Sequence, residues 1–239
     1  MASQLGMDDL FGDSISVPNE PHLACVLLLD VSGSMDGDSI NSLNNAIAMF
    51  KEQVCKDEIA KKRVDISIIT FSDSAEIVQD FVPVGAMSTV RLSAGGRTNM
   101  ADGINVAIDK LKERNHLYNR MGVPCFKPWI FMITDGYSTS EDYMMDMVAN
   151  RIAEEENKGS VGKLKFWAIG VDNYSKKELF KLTKRVVELK EHNFTGIFDW
   201  LSDSMTAISN STVSENVMLD DLPEDARKAR MDRRIDEDW

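Results

Sequence analysis

Three oxygen-bearing side chains follow the first apolar run of this chain. Asp30, Ser32 and Ser34 occupy alternate positions directly after residues 23–29, which contain no charged residue. One carboxylate and two hydroxyls are oxygen ligands, which hard divalent cations such as Mg²⁺ prefer. The spacing therefore predicts part of a cation site on the loop after a buried strand.

Two further loops supply oxygen atoms in comparable positions. Thr98 follows the glycine pair 95–96, and Asp135 follows the apolar run 128–134. Ligands of open α/β sheets bind along the carboxyl ends of the strands. We therefore expect these loops to meet, and the predicted ligand set is Asp30, Ser32, Ser34, Thr98 and Asp135. Mg²⁺ takes six oxygens and readily keeps waters, so at least one position stays open to an outside ligand. Mn²⁺ and Ca²⁺ are alternatives.

The elements that must position these loops alternate along the chain. The apolar patterns predict strands at 23–30, 64–71, 75–82, 128–134, 164–171 and 186–189, and helices at 39–55, 100–117, 140–156, 176–184 and 197–210. Strands that alternate with helices are typical of a parallel sheet covered on both faces. The predicted fold is α/β, a doubly wound, mostly parallel six-stranded sheet with one antiparallel edge strand, 75–82.

Composition limits the possible partners and the domain organisation. The chain has 239 residues and a net charge of −12, which argues against nucleic acid. Three cysteines without metal spacing predict a reducing, cytoplasmic setting, and no apolar run is long enough to predict a membrane span. We expect a flexible acidic leader at 1–20, one domain at 21–213, and a charged tail at 214–239 that is either helical or solvated.

The three loops resemble the metal-ion-dependent adhesion site of von Willebrand factor A (VWA) domains. That family carries Asp-x-Ser-x-Ser, then Thr, then Asp, and the runs 27–35, 95–100 and 133–136 also look like it. The resemblance covers residues 22–212 and extends to bacterial stand-alone proteins of the tellurite-resistance TerY-like group. It implies a non-catalytic interaction module whose metal binds an Asp or Glu of a protein partner. It also implies a role in a bacterial stress-response or defence complex.

Other interpretations remain open at this stage. Asp30 could be the nucleophile of a Mg²⁺-dependent phosphatase or phosphotransfer enzyme, although Ser32 stands where such chemistry needs a second acid. The domain could also be a scaffold with a vestigial metal site. A carboxylate of either acidic tail could occupy the open metal position. We assign Asp36, Asp38, Asp73 and Asp102 to helix N-termini and turns, and Arg97 either to a solvated loop or to a partner carboxylate.

Overall fold

The protein is described here from a computed structural model. The structure describes residues 15, 19–158, 164–172, 174–190, 194–213, 217, 219, 221–223 and 226–229. The strands are β1 Leu23–Asp30, β2 Val64–Phe71, β3 Ala75–Pro83, β4 Trp129–Thr134, β5 Lys165–Val171, β6 Val186–Leu189 and β7 Ala226–Lys228. The helices are α1 Asp38–Val54, α2 Ala60–Arg63, α3 Met100–Met121, α4 Asp142–Asn157, α5 Lys176–Leu182 and α6 Phe194–Ser209.

The strands form one sheet in the order β3-β2-β1-β4-β5-β6-β7. Strands β2, β1, β4, β5 and β6 are parallel, and β3 pairs antiparallel with β2. The predicted mostly parallel α/β sheet, with its six strands and the antiparallel edge strand β3, is confirmed, and β7 adds a seventh strand beyond β6. The parallel arrangement places the ends of β1 and β4 side by side, since Leu29 is paired with Ile133. The loops that carry Asp30 and Asp135 therefore leave the same edge of the sheet.

Two apolar layers cover the sheet, and β1 contributes to both. Leu23, Cys25, Leu27 and Leu29 face the layer that contains α1 and α6. The intervening Ala24, Val26 and Leu28 face the layer that contains α3, α4 and α5. Each residue of β1 is buried, as expected of a central strand covered on both faces. Because β1 is packed on both faces, the position of the loop that follows it is fixed.

The two ends of the chain differ in part from the sequence-based expectation. Residues 226–228, where a helix was one of the two predictions, form β7, which pairs antiparallel with β6. The open hydrogen-bonding edge of β6 and burial of Ala226 favour a strand there. Of the predicted leader, only Ile15 and residues 19–20 are described. Ile15 is buried and Glu20 accepts a hydrogen bond from Arg63 (2.7 Å), so these two positions contact the domain.

Gly103 shows how closely α3 approaches the end of β2. A Cβ atom at Gly103 would lie 2.8 Å from Cβ of Phe71 and 2.9 Å from its Cγ. We expect Gly103→Ala to lower the free energy of unfolding by about 1–3 kcal/mol, because overpacking outweighs the better helix propensity of alanine, about 1 kcal/mol. Urea unfolding measures this. Gly95→Ala is the control, since nothing lies within 4 Å of a Cβ there; an equal loss in both variants would contradict the packing argument.

Candidate metal centre

Asp30, the last residue of β1, lies beneath the site, and the loop that follows carries the two serines above it. Asp30 is fully buried, and its Oδ1 accepts a hydrogen bond from the Ser32 amide (2.9 Å). Its Oδ2 accepts a hydrogen bond from the Thr134 hydroxyl (2.6 Å). Burial raises the pKa of Asp30, and the hydrogen bonds from Ser32 and Thr134 offset part of this rise. Both of these donors, the Ser32 amide and the Thr134 hydroxyl, are uncharged.

The predicted ligands from different loops meet at one point. The Ser34 hydroxyl donates to Oδ1 of Asp135 (2.7 Å), although the two residues are 101 positions apart. The hydroxyl oxygens of Ser32 and Ser34 are 3.1 Å apart. A Cβ atom at Gly136 would lie 3.5 Å from the Ser34 hydroxyl and 3.7 Å from that of Thr98, so Thr98 borders the same space. Backbone hydrogen bonds join the first two loops, since Gly33 donates to Gly96 (3.0 Å) and Gly95 to Val31 (2.8 Å).

These separations can be compared with those around a bound ion. In an octahedron with bonds of about 2.0–2.1 Å, neighbouring ligand oxygens lie about 2.8–3.0 Å apart, and equatorial neighbours in a pentagonal-bipyramidal Ca²⁺ site with bonds of about 2.3–2.6 Å lie about 2.7–3.1 Å apart. The distances between Ser32, Ser34 and Asp135 oxygens, 2.7–3.1 Å, are those of hydrogen bonds and match the ligand spacing around either ion. Among the described residues no group of three His, Cys, Asp or Glu forms a metal site. A cation here would depend on hydroxyl ligands.

The site opens into a cleft of about 680 Å³. The residues that line it include Ser32, Ser34, Thr98 and Asp135, together with Arg97, Tyr137 and Asp172 from the surrounding loops. Asp30 is not among the lining residues, which agrees with its burial below them. Asp36 and Asp38 are exposed and do not line the cleft. The open side of the candidate site therefore faces solvent and is wide enough to admit a side chain from another segment.

Asp73, predicted to lie in a turn, supports the Thr98 loop, and Asp102, predicted to be an acid in the first turn of a helix, supports the start of β3. Oδ1 of Asp73, in the β2–β3 turn, accepts a hydrogen bond from the Arg97 amide (3.1 Å), and its backbone carbonyl accepts one from the Asn99 side chain (3.3 Å). Asp102 accepts a hydrogen bond from the Ala75 amide (2.7 Å), which joins α3 to the start of β3. Both contacts join segments more than 20 residues apart, so no local sequence pattern signals them.

A second group of polar side chains joins the Thr98 loop to the loop after β4. The Ser140 hydroxyl donates to Oδ1 of Asn99 (2.9 Å) and accepts from the Ala101 amide (3.1 Å). The Thr139 amide donates to the Thr98 carbonyl (2.8 Å). Glu178 of α5 accepts from the Ser138 amide (2.9 Å). Thr98 and Asp135 are thus held in a fixed relation without a metal–ligand bond.

We expect Asp73→Ala to weaken metal binding about tenfold or more, because residues that orient metal ligands typically contribute 10–100-fold to affinity. The fold should be retained, since Asp73 lies in an exposed turn. Calorimetric titration with Mg²⁺ measures the affinity, and circular dichroism checks the fold. Asp57→Ala is the control, because Asp57 also caps a turn but does so at α2, far from the cleft in the fold. Equal affinity in wild type and Asp73→Ala would contradict the supporting role.

The model of the von Willebrand factor type A domain matches residues 25–196. The chain belongs to the VWA family. The match lies inside the predicted domain, 21–213, and includes all five predicted ligands. No curated protein sequence matches this VWA chain significantly.

Solved structures share the VWA fold at low sequence identity. A von Willebrand factor type A protein from Catenulispora acidiphila is 16% identical with a TM-score of 0.57, over 78% of this chain and 43% of that one. Proximal thread matrix protein 1 from mussel byssus, with a zinc-occupied MIDAS motif, is 19% identical with a TM-score of 0.55, over 81% and 47%. The pilus adhesin SpaC from Lactobacillus rhamnosus GG is 12% identical with a TM-score of 0.60, over 81% and 31%. This chain spans less than half of each of these structures.

Proposed function

We propose that this VWA chain is a metal-dependent protein-interaction module. One observation carries the proposal: hydroxyl and carboxylate oxygens from loops 101 residues apart converge at 2.7 Å in a cleft open to solvent. In the proposed site Ser32, Ser34, Thr98 and Asp135 surround a Mg²⁺ ion and Asp30 supports it from below. The ion would supply an electrophilic position for a carboxylate of a protein partner. Zinc at the MIDAS motif of proximal thread matrix protein 1 supports a divalent ion at this place in the fold.

Charge supports the choice of a carboxylate as the outside ligand. Asp30 and Asp135 together carry −2 when ionised, and Asp30 lies below the cleft, with both its oxygens accepting hydrogen bonds from Ser32 and Thr134. At the cleft, Asp135 offers a carboxylate oxygen next to the Ser34 hydroxyl, and Asp172 is a second acid that lines the cleft. With Asp135 as the one carboxylate among its ligands on the cleft side, a divalent ion would keep positive charge on its open side, where an Asp or Glu oxygen would bind.

The metal is tested by calorimetric titration of Mg²⁺ and Mn²⁺ into the full chain. We expect a single site, and at least a tenfold loss of affinity in Asp135→Ala. Asp142→Ala is the matched control, because Asp142 is an exposed acid at the start of α4, seven residues from Asp135 and outside the cleft. Equal binding by the wild-type chain and Asp135→Ala would overturn the proposed site.

The partner is tested by capture from the native source with Mg²⁺ or with EDTA, using wild type and Asp135→Ala. A partner retained only by wild type with Mg²⁺ is the expected result. Retention that neither EDTA nor Ser32→Ala changes would favour the scaffold interpretation. We propose a role in a bacterial stress-response or defence complex because of the resemblance to TerY-like proteins, and a cytoplasmic location because the three cysteines lack metal spacing. The free thiols of Cys25, Cys55 and Cys125 agree with a reducing compartment.

We also propose that the chain is not an enzyme. Nucleophilic use of Asp30 would need exposure, whereas this carboxylate is fully buried and both oxygens accept hydrogen bonds. The second acid of a phosphatase is replaced by Ser32. Hydrolysis of p-nitrophenyl phosphate with Mg²⁺ tests this, and we expect no turnover above buffer. Turnover that disappears in Asp30→Asn would establish the enzymatic alternative.

None of the described helices is both long enough and apolar enough to cross a membrane.

A further inference from the structure

Three exposed apolar side chains lie at the proposed metal cleft and on the helix that follows it in the chain. Of the large hydrophobic side chains in the described part of the chain, the three most exposed are Met147 (65%), Tyr137 (64%) and Tyr143 (59%). Tyr137 lines the cleft, and Tyr143 and Met147 lie four residues apart on α4, hence on one face of the helix. We call these three residues the α4 patch. Tyrosine and methionine are enriched at protein interfaces, so the patch is suited to bind apolar side chains.

The charges around the α4 patch define how a bound segment would be oriented. Glu141 and Asp142 are exposed at the start of α4, next to Tyr143, and disfavour carboxylates along the helix. Within the cleft, Asp172 also disfavours a carboxylate beside it, so the favourable positions for a carboxylate are the metal and Arg97. The matching segment therefore has acidic residues at one end, over the cleft, and large apolar residues immediately beside them, over Tyr143 and Met147.

This chain contains such a segment in its leader. Residues 8–11 are Asp-Asp-Leu-Phe, and residues 1–20 contain four acids and no base. Ile15 is buried in the layer that contains α3, α4 and α5, so the leader joins the domain on the side of the sheet that carries α4. Asp8 lies seven positions before Ile15, and a chain of that length can span about 23–25 Å. This span is nearly the length of the eight-residue strand β1, about 26 Å, so a leader held at Ile15 can extend along most of the sheet.

We propose that residues 8–11 bind the α4 patch of their own chain, with a carboxylate of Asp8 or Asp9 on the metal and Leu10 and Phe11 on Tyr143 and Met147. The inference rests on the proposed function, since the carboxylate needs the ion. A segment tethered to its site competes at an effective concentration of about millimolar for a short flexible link. The leader thus acts as an internal competitor, and a protein partner must displace it to reach the metal.

Paramagnetic broadening by Mn²⁺ in the full-length chain tests this proposal. Mn²⁺ replaces Mg²⁺, and the amide NMR signals of residues 8–11 are compared with those of the Thr98 loop. We expect both sets to broaden in wild type. In Tyr143→Ser/Met147→Ser the leader signals should stay sharp while the Thr98 loop still broadens. Met121→Ser is the control, because Met121 is an exposed methionine at the end of α3, and it should behave as wild type.

The outcomes separate this proposal from the one on which it rests. A leader that stays sharp while the Thr98 loop broadens would overturn the inference and leave the metal site standing. An absence of broadening at the Thr98 loop would overturn the metal site itself. Leader broadening that grows with protein concentration would show docking on a second copy and contradict the intramolecular contact. Leader broadening that persists in Tyr143→Ser/Met147→Ser would show that the α4 patch does not hold it.

Discussion

Replacing Asp30 with asparagine is expected to stabilise the metal-free protein. Burial raises the pKa of Asp30, so the folded protein holds this proton more tightly than the unfolded chain does. Ionisation therefore opposes folding, and this contribution to stability is lost as pH rises through the raised pKa. Asparagine removes the buried charge and keeps an oxygen that accepts from the Ser32 amide. The metal-free variant should therefore melt above wild type at neutral pH, and the difference should shrink as the pH is lowered.

The same substitution is expected to abolish stabilisation by Mg²⁺. A ligand at 100 times its dissociation constant stabilises the folded state by about 2.7 kcal/mol, which corresponds to about 5–10 °C here. In Asp30→Asn a neutral amide replaces the carboxylate beneath the ion, so this increase in melting temperature should disappear. One variant thus has opposite effects with EDTA and with Mg²⁺, which a general loss of folding cannot produce.

Differential scanning calorimetry in EDTA and in saturating Mg²⁺ measures both effects. Asp36→Asn is the matched control, because Asp36 lies on the same loop but is exposed and outside the cleft. It should melt as wild type does in both buffers. A metal-free Asp30→Asn protein that melts below wild type would contradict the penalty assigned to the buried carboxylate. A Mg²⁺-dependent increase that persists in this variant would contradict the role of Asp30 at the metal.

The positions of the candidate ligands could be predicted because each follows a strand or a glycine pair. The buried runs before Asp30 and Asp135 indicate parallel strands, and parallel strands bring their carboxyl ends to one edge. The supporting contacts could not be predicted in the same way. Thr134 lies in a strand that is buried on both faces, where the sequence does not show which way a polar side chain points. Asp73 acts on a loop 24 residues away, and turns favour aspartate for local reasons alone.

Strand β7 and the buried charged residues could not be predicted from sequence patterns either. Strand β7 has three residues, too few for a detectable alternation. His22 lies in the core beside Asp65, 43 residues away, and no local pattern indicates this contact. Arg114 and Tyr118 come from α3, and a charged residue in a helix is normally predicted to lie on its solvent-exposed face. Only the packing of α3 over β1 and β2 brings these four side chains together.

That buried cluster carries the second large expected effect. Asp65 is fully buried, and its Oδ2 accepts hydrogen bonds from Nδ1 of His22 (2.8 Å) and Nη2 of Arg114 (3.0 Å) as well as from the Tyr118 hydroxyl. Burial and the charge of Asp65 raise the pKa of Tyr118 well above its usual value, so tyrosine remains a donor. We expect Asp65→Ala to lower the free energy of unfolding by about 3–5 kcal/mol, because it leaves the Arg114 charge buried without its carboxylate.

Urea unfolding followed by circular dichroism measures this loss. Asp109→Ala is the matched control, since Asp109 pairs with Arg151 but is 63% exposed, and exposed ion pairs contribute about 0–1 kcal/mol. A loss below 1 kcal/mol in Asp65→Ala would contradict the penalty expected for a buried Arg114 charge without its carboxylate. The comparison therefore distinguishes burial from the mere presence of an ion pair.

The two aspartates should act independently of each other. Asp65 is paired with Ala24 across the sheet, and Asp30 lies six residues further along β1, about 20 Å away. Effects of changes separated by more than about 10 Å usually add within about 0.5 kcal/mol. The double variant should therefore lose stability by the sum of the single effects, and Asp65→Ala alone should keep its Mg²⁺-dependent increase in melting temperature. A coupling above 1 kcal/mol would mean that the amino edge of the sheet influences the metal cleft at its carboxyl edge.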